Sequence, residues 1–246
     1  MKREKGNVYF GNTNMKFSII RSKRRRTVSI FVDPIEGVFL RVPIKASFNS
    51  LSKLVHSRAA WILNKQRLIN ETVGIIPKRE YVTGESFLYL GKHLRLKITK
   101  VDKKNKPKVL MKGGRFVVNL NGHTSRTYRA KIIKDMLNNW YKHHARGILH
   151  KRSEIYSQRL GVTKPKIFLA NQTKRWGSCN KKEEIRFNWH IIMAPVSLVD
   201  YVVAHELCHL KYKNHSENFW KLVGRIMPDY EARRERLRKE GPKYIF

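Results

Sequence analysis

The stretch VVAHELCHLKYKNH, residues 202–215, sets His205, Glu206, His209 and His215 in an otherwise apolar segment. His205 and His209 are spaced one helical turn apart, so on a helix both imidazoles project from one face and can meet a single cation. Glu206 points about 100° round the helix, toward a water held by that cation, where it is placed to act as general base. This is the HExxH arrangement of zinc hydrolases. His215 follows beyond the polar stretch KYKN, which can end the helix and turn the chain back. Three protein ligands leave the fourth tetrahedral position open for water, as a catalytic rather than a structural zinc requires. Val199, Val202, Val203, Leu207 and Leu210 surround these residues, so the helix must be largely buried. Unpartnered histidine or glutamate there would cost about 1–3 kcal/mol each, a cost that a metal removes. Cys208 is a competing thiol, but it points away from His209 and is expected to pack as a small apolar residue.

Several elements must position this helix. Pro195 and Ser197 mark its start, with Asp200 where a capping box would put an acid. Before it, KIFLA reads as a strand and NQTKRWGSCNKKEEIRFNW as strand, polar turn and strand. From Ser125 to about Leu160, Ile133, Met136, Leu137, Trp140, Tyr141, Leu149 and Tyr156 mark a long amphipathic helix. Further upstream, FSIIRS, TVSIFVD and GVFLRVP read as strands. SLSKLVHSRAAWILNKQRLIN reads as one helix with Ser47 and Ser50 as caps. YLGKHLRLKI and VLMKGGRFVVNL read as hairpins, extending a mainly antiparallel set. No repeat is legible. The seam falls before the long helix, giving an α+β accessory region over 16–124 and a hydrolase domain over 125–246.

Composition bounds the rest. The chain has 246 residues, 41% of them hydrophobic, enough for a substantial core. No apolar run suits a membrane span, the N-terminus lacks a signal-like segment, and two cysteines make no disulfide framework, so the expected location is cytoplasmic. The net charge is +35, and residues 1–160 hold 36 of the 53 Lys and Arg but half of the 18 Asp and Glu. Such a field attracts polyanions, and the run Lys23, Arg24, Arg25, Arg26 is its densest part and a candidate phosphate or nucleic-acid contact. A solvated surface is the alternative reading of the same charge.

TKRWGSCN, IRFNWHIIMAP, YVVAHELCHLKYKNHSENFWKLV and MPDYEARRERLR follow in order and spacing the pattern of YgjP-like metallopeptidase-domain proteins, relatives of the WLM and SprT-like minimal zincins. RRRTVSIFVDPIEGVFLRVP, RAAWILNKQ and YLGKHLRLKI resemble that family's accessory region, so the likeness reaches nearly the whole chain beyond the first fifteen or so residues. The resemblance implies a zincin-like α+β domain, one zinc per chain on His205, His209 and His215, and Glu206 as base. Metzincins share the histidine spacing but have glycine where this chain has Tyr212, so the third ligand is expected from another loop, near the start of SENFWKLVGRIM. Glu217, Asp229 and Glu231 are the alternative carboxylate ligands. Asp200 and Asp229 are candidates to orient a liganding histidine.

Substrate is less legible. Arg175, Trp176, Ser178 and Asn188 lie on the hairpin before the metal helix, and in zincins such a strand borders the cleft. Arg175, Ser178 and Asn188 are therefore the candidate substrate contacts. Trp189 and Trp220 read as core. A peptidase would pair an extended peptide with an edge strand, here Ile185 to Trp189. One branch of the family is described as a nucleoside triphosphate pyrophosphatase acting on UTP; that chemistry would need cations such as Lys174, Arg175 and Arg186 beside the zinc. A third alternative is a basic nucleic-acid-binding protein with a structural metal.

Overall fold

The computed structural model describes residues 4–33, 36–73, 79–101, 107–121, 126–172 and 175–245. The chain forms two compact units, residues 1–77 and 78–246.

In the first unit, strands β1 (Glu4–Phe10), β2 (Thr13–Ser22), β3 (Ser29–Asp33) and β4 (Gly37–Pro43) form one sheet in the order β1-β2-β4-β3. The hairpins are antiparallel as expected, but they join through a parallel β2–β4 pair. Alternation decides which face is covered: Met15, Phe17 and Ile19 of β2 and Val38, Leu40 and Val42 of β4 are buried. They pack on Leu51 and Val55 of α1 (Phe48–Ser57) and on Ala59 and Ile62 of α2 (Ala59–Val73). The expected single helix is broken at Arg58. Its start matches the reading, with the Ser47 hydroxyl accepting from the Ser50 amide at 3.2 Å.

The second unit repeats this strand order. β5 (Ser86–Tyr89), β6 (Lys92–Val101), β7 (Lys108–Lys112) and β8 (Arg115–Asn121) form a sheet ordered β5-β6-β8-β7, again with two hairpins and a parallel central pair. Gly113 and Gly114, both at positive φ, make the β7–β8 turn of the kind that hairpins prefer. A duplicated topology is invisible in the sequence because period-two patterning and turn residues can be met by unrelated side chains. The compact units part at 77/78, so the expected seam at 124/125 lies inside the second unit. The physical reason is a shared core: Phe87, Leu96, Phe116 and Val118 of this sheet cluster with Ile133, Leu137, Trp140 and Tyr141 of α3 (Arg126–Leu160).

A third sheet, ordered β10-β11-β9, combines β9 (Ile167–Ala170), β10 (Gly177–Cys179) and β11 (Ile185–Asn188). Next to it α4 (Val196–Cys208) packs on α3, on β10, and on α5 (Glu217–Ile226) and α6 (Tyr230–Glu240). Within α4 only Val196, Ser197 and His205 escape full burial. Asp200 does not cap it, since the helix starts at Pro195 without a side-chain cap. Instead its carboxylate accepts two hydrogen bonds from the Arg152 guanidinium of α3. This pair ties α4 to the long helix with Asp200 only 10% exposed. Among the described residues no helix is long and apolar enough to cross a membrane.

Removing one partner of this pair strands a buried charge. Arg152→Met is expected to destabilise the protein by about 3 kcal/mol in urea denaturation, and the double change Arg152→Met with Asp200→Leu to recover much of that loss.

Candidate active site

α4 ends at Cys208, and His209 is its C-cap, one turn beyond His205. The chain then turns through Leu210 and Lys211 and reaches His215 just before α5, the loop entry that the sequence suggested. One ring nitrogen from each of His205, His209 and His215 lies within 4.8 Å of the others. The Nε2 atoms of His205 and His215 are 3.0 Å apart, close to the roughly 3.3 Å between adjacent ligands of a tetrahedral zinc with 2.0–2.1 Å bonds. His209 Nδ1 donates to the Tyr212 carbonyl at 3.0 Å, which fixes the tautomer and leaves the Nε2 lone pair for a ligand. His205 Nδ1 is buried without a hydrogen-bond partner, so the polar contact of that ring is its Nε2 atom. Burial, with the neighbouring His209 and His215, lowers the His205 pKa to about 3 and keeps the ring neutral. The His209 pKa is lowered as well, chiefly by burial. Neutral imidazoles converging on one point are the donor set that a zinc ion takes.

Neither expected carboxylate orients a histidine. Asp200 is held by Arg152, and Asp229 pairs with Arg233 at 2.8 Å. Of the alternative ligands, Glu217 pairs with Lys221 and Glu231 accepts from the Tyr230 hydroxyl, and neither carboxylate joins the histidine cluster. Cys208 is buried, its thiol pushed up to about 12 by burial, and packs as expected. Trp189 is core, and Trp220 packs against that core. It is half-buried and stacked on His215 at 5.5 Å between centroids, while Phe219 stacks on His209 at 4.6 Å. These two aromatics hold the imidazoles from behind.

Glu206 is 6% exposed, and burial raises its carboxyl to about 7, with Arg175 acting in the opposite direction. A carboxyl poised near neutrality can take a proton and give it back. What makes room for it is a residue whose role the sequence did not disclose. A Cβ on Gly177 would lie 2.5 Å from Glu206 Cγ and 2.6 Å from Oε1. Strand β10 therefore runs directly against the carboxylate, and a glycine inside a strand was the available signal of a close approach.

The site opens into a cleft of about 1010 Å³ lined on one side by Arg175 to Lys181 and on the other by Tyr201, Val202, Arg234, Leu237 and Arg238. Arg175 and Ser178 both line this cleft. Asn188 does not: it is 2% exposed, donates to the Gln172 carbonyl at 2.6 Å and accepts from the His190 amide at 3.1 Å, so it caps the 3-10 turn after β11. Arg186 is absent from the lining too, paired with Glu184 and lying over Phe168. Lys174 falls outside the described residues. Lys23, Arg24, Arg25 and Arg26 belong to the first unit, in the loop between β2 and β3, where Arg25 donates to the Ser29 hydroxyl.

Residues 26–240 match the family model described as YgjP-like, metallopeptidase domain. The chain belongs to this family. Membership makes it a metallopeptidase-type hydrolase at family level and implies a metal, usually zinc. Two solved structures are similar to parts of it. The metallopeptidase zymogen of Pyrococcus abyssi abylysin is 22% identical, covers 36% of this chain and 90% of its own, and has a TM-score of 0.34. That of Methanocaldococcus jannaschii jannalysin is 18% identical, with 36% and 92% covered and a TM-score of 0.33. No curated protein matches the chain.

Gly177→Ala tests the contact between β10 and Glu206. The added methyl must displace the carboxylate, so metal content by elemental analysis is expected to stay at the wild-type level. Hydrolysis is expected to fall about 100-fold, the cost of a misplacement near 1 Å.

Proposed function

We propose that this protein is a zinc-dependent metallopeptidase in which His205, His209 and His215 hold one zinc and Glu206 is the general base. The observation that carries this reading is the convergence of three imidazole nitrogens beside a buried carboxyl, at the wall of an open cleft. A zinc held there supplies Lewis-acid polarisation of a substrate carbonyl and lowers the pKa of water to near neutrality.

The chain's own residues do the rest. Glu206 accepts the proton of the attacking water and can return it to the leaving amine. Its burial among apolar residues and against the Gly177 backbone holds the carboxylate in one place. The strand offered to an extended substrate is β10 rather than the Ile185–Trp189 segment. β11 lies in the middle of its sheet, paired on both sides, whereas β10 is at the edge. Gly177, Ser178 and Cys179 can therefore pair with a peptide backbone within reach of Glu206. Arg175 is exposed at the entrance of that strand.

A second reading, hydrolysis of a nucleoside triphosphate such as UTP to release pyrophosphate, is favoured by one observation. Arg175, Lys181, Lys213, Arg234 and Arg238 line the cleft against Glu206 as its carboxylate. A purely structural metal is less consistent with three protein ligands beside a cleft, since structural zinc sites have four. The exposed Lys23, Arg24 and Arg26 support a separate proposal, that the first unit binds polyanions. Replacing Lys23 to Arg26 by serine should then abolish salt-dependent binding of single-stranded nucleic acid in a filter assay, and undiminished binding would reject it.

Two variants separate metal holding from chemistry. His209→Ala is expected to lose the zinc that wild type retains after gentle purification, about one per chain. Glu206→Gln is expected to keep that zinc and to lose hydrolysis by at least about 100-fold on denatured protein or peptides. Equal zinc in wild type and His209→Ala would remove the ligand assignment, and an active Glu206→Gln would remove the base.

A further inference from the structure

One turn toward the start of α4 from His205 and Glu206, the cleft wall is made by Tyr201 and Val202, with Arg234 and Leu237 of α6 also lining it. Tyr201 is only 6% exposed, yet its hydroxyl makes no hydrogen bond among the described residues. The hydroxyl is not among the buried unpartnered polar atoms, so it is open to the cleft and free to donate to what binds there. Arg234 is similarly left over. On α6, Arg233 pairs with Asp229, Arg236 with Glu240, and Arg238 and Lys239 with Glu235. Arg234 alone among these cations has no acidic partner among the described residues. Its guanidinium lies over the Trp220 ring, 4.7 Å from the centroid, and Trp220 in turn stacks on His215. The charge of Arg234 is felt at both Tyr201 and His205.

We propose that Tyr201 and Arg234 form a subsite for a substrate carboxylate, so that the enzyme prefers a glutamate or aspartate beside the scissile bond. The inference rests on the peptidase reading above. A carboxylate is an acceptor only, and the subsite offers it donors only: the Tyr201 O–H and the Arg234 N–H groups. Val202 and Leu237 are buried apolar neighbours suited to the methylene stem of an acidic side chain. One helical turn is about 5.4 Å, and an extended chain advances about 3.3 Å per residue, so a peptide whose carbonyl lies at the histidine cluster brings an adjacent side chain here. A triphosphate would ask for several unpaired cations converging at one point. The subsite instead has one such cation, one hydroxyl and two apolar walls.

The test uses the full chain loaded with zinc and a degenerate peptide library, with cleavage products read by mass spectrometry. Glutamate and aspartate are expected to be enriched at one position next to the cleaved bond. For a peptide chosen from that library and its Glu-to-Gln counterpart, the kcat/KM ratio is expected to be about 10–100, the worth of hydrogen bonds to a charged group. That ratio should collapse toward one in Arg234→Met, recover in part in Arg234→Lys, and fall about 3- to 10-fold in Tyr201→Phe, with zinc content maintained throughout. Peptide cleavage without acidic preference, or an unchanged ratio in Arg234→Met, would overturn the subsite while leaving the peptidase reading standing. Release of pyrophosphate from nucleoside triphosphates that depends on Glu206, with no peptide cleaved, would overturn the peptidase reading and the subsite together.

Discussion

Burying α4 on nearly every side forces each polar group it carries either to find a partner or to face the opening left at its C-terminal turn. Asp200 takes the first course, through Arg152 of α3. His205, Glu206 and His209 take the second, and the geometry of the site follows from that division. The helix is fixed in rotation by its apolar residues, so the two imidazoles are aimed at one point before any ligand arrives. The surrounding structure then has only to bring a third nitrogen and a substrate wall to that point.

Those additions come from both sides of α4 in the sequence. The turn after His209 supplies the Tyr212 carbonyl that sets the His209 tautomer, and the loop before α5 supplies His215. Phe219 and Trp220, on the first turns of α5, brace the imidazoles, so the helix following the third histidine also forms the back of the site. From the opposite side β10 approaches so closely that only glycine fits at Gly177. α6 completes the wall with Arg234, Leu237 and Arg238.

The cleft is cationic, but the larger share of the chain's charge lies elsewhere. The basic run Lys23 to Arg26 sits in the first unit, while all residues lining the cleft belong to the second. Charge lining a cleft bears on what can bind in it, whereas charge on a separate unit contributes only to the long-range field of the chain. The two units share a strand order, β-hairpin beside β-hairpin with a parallel centre, and the histidine cluster on and after α4 belongs to the second.

The histidine cluster was legible in the sequence because its information is local: i and i+4 on a buried helix leave little choice of direction, and His215 follows within the reach of one turn. The long helix, the hairpins at Gly91 and Gly113-Gly114, the burial of Trp189 and the inert packing of Cys208 were legible for the same reason, each resting on periodicity or turn chemistry over a few residues. The tertiary structure alone decided what depends on neighbours distant in sequence. Asp200 pairs with a residue 48 positions away instead of capping its own helix. Asn188, polar and next to the candidate cleft strand, is consumed in holding a turn. β11 rather than β10 reads as the better strand by composition, yet the sheet order places β10 at the edge, because pairing partners are not encoded in a strand's own residues. Arg234 and Arg238 are two of five cations on a charged helix, and only the packing of α6 against α4 brings those two to the cleft. A sequence specifies which groups can do chemistry through local spacing; which of them meet a substrate is set by contacts between elements, and that is a property of the folded chain.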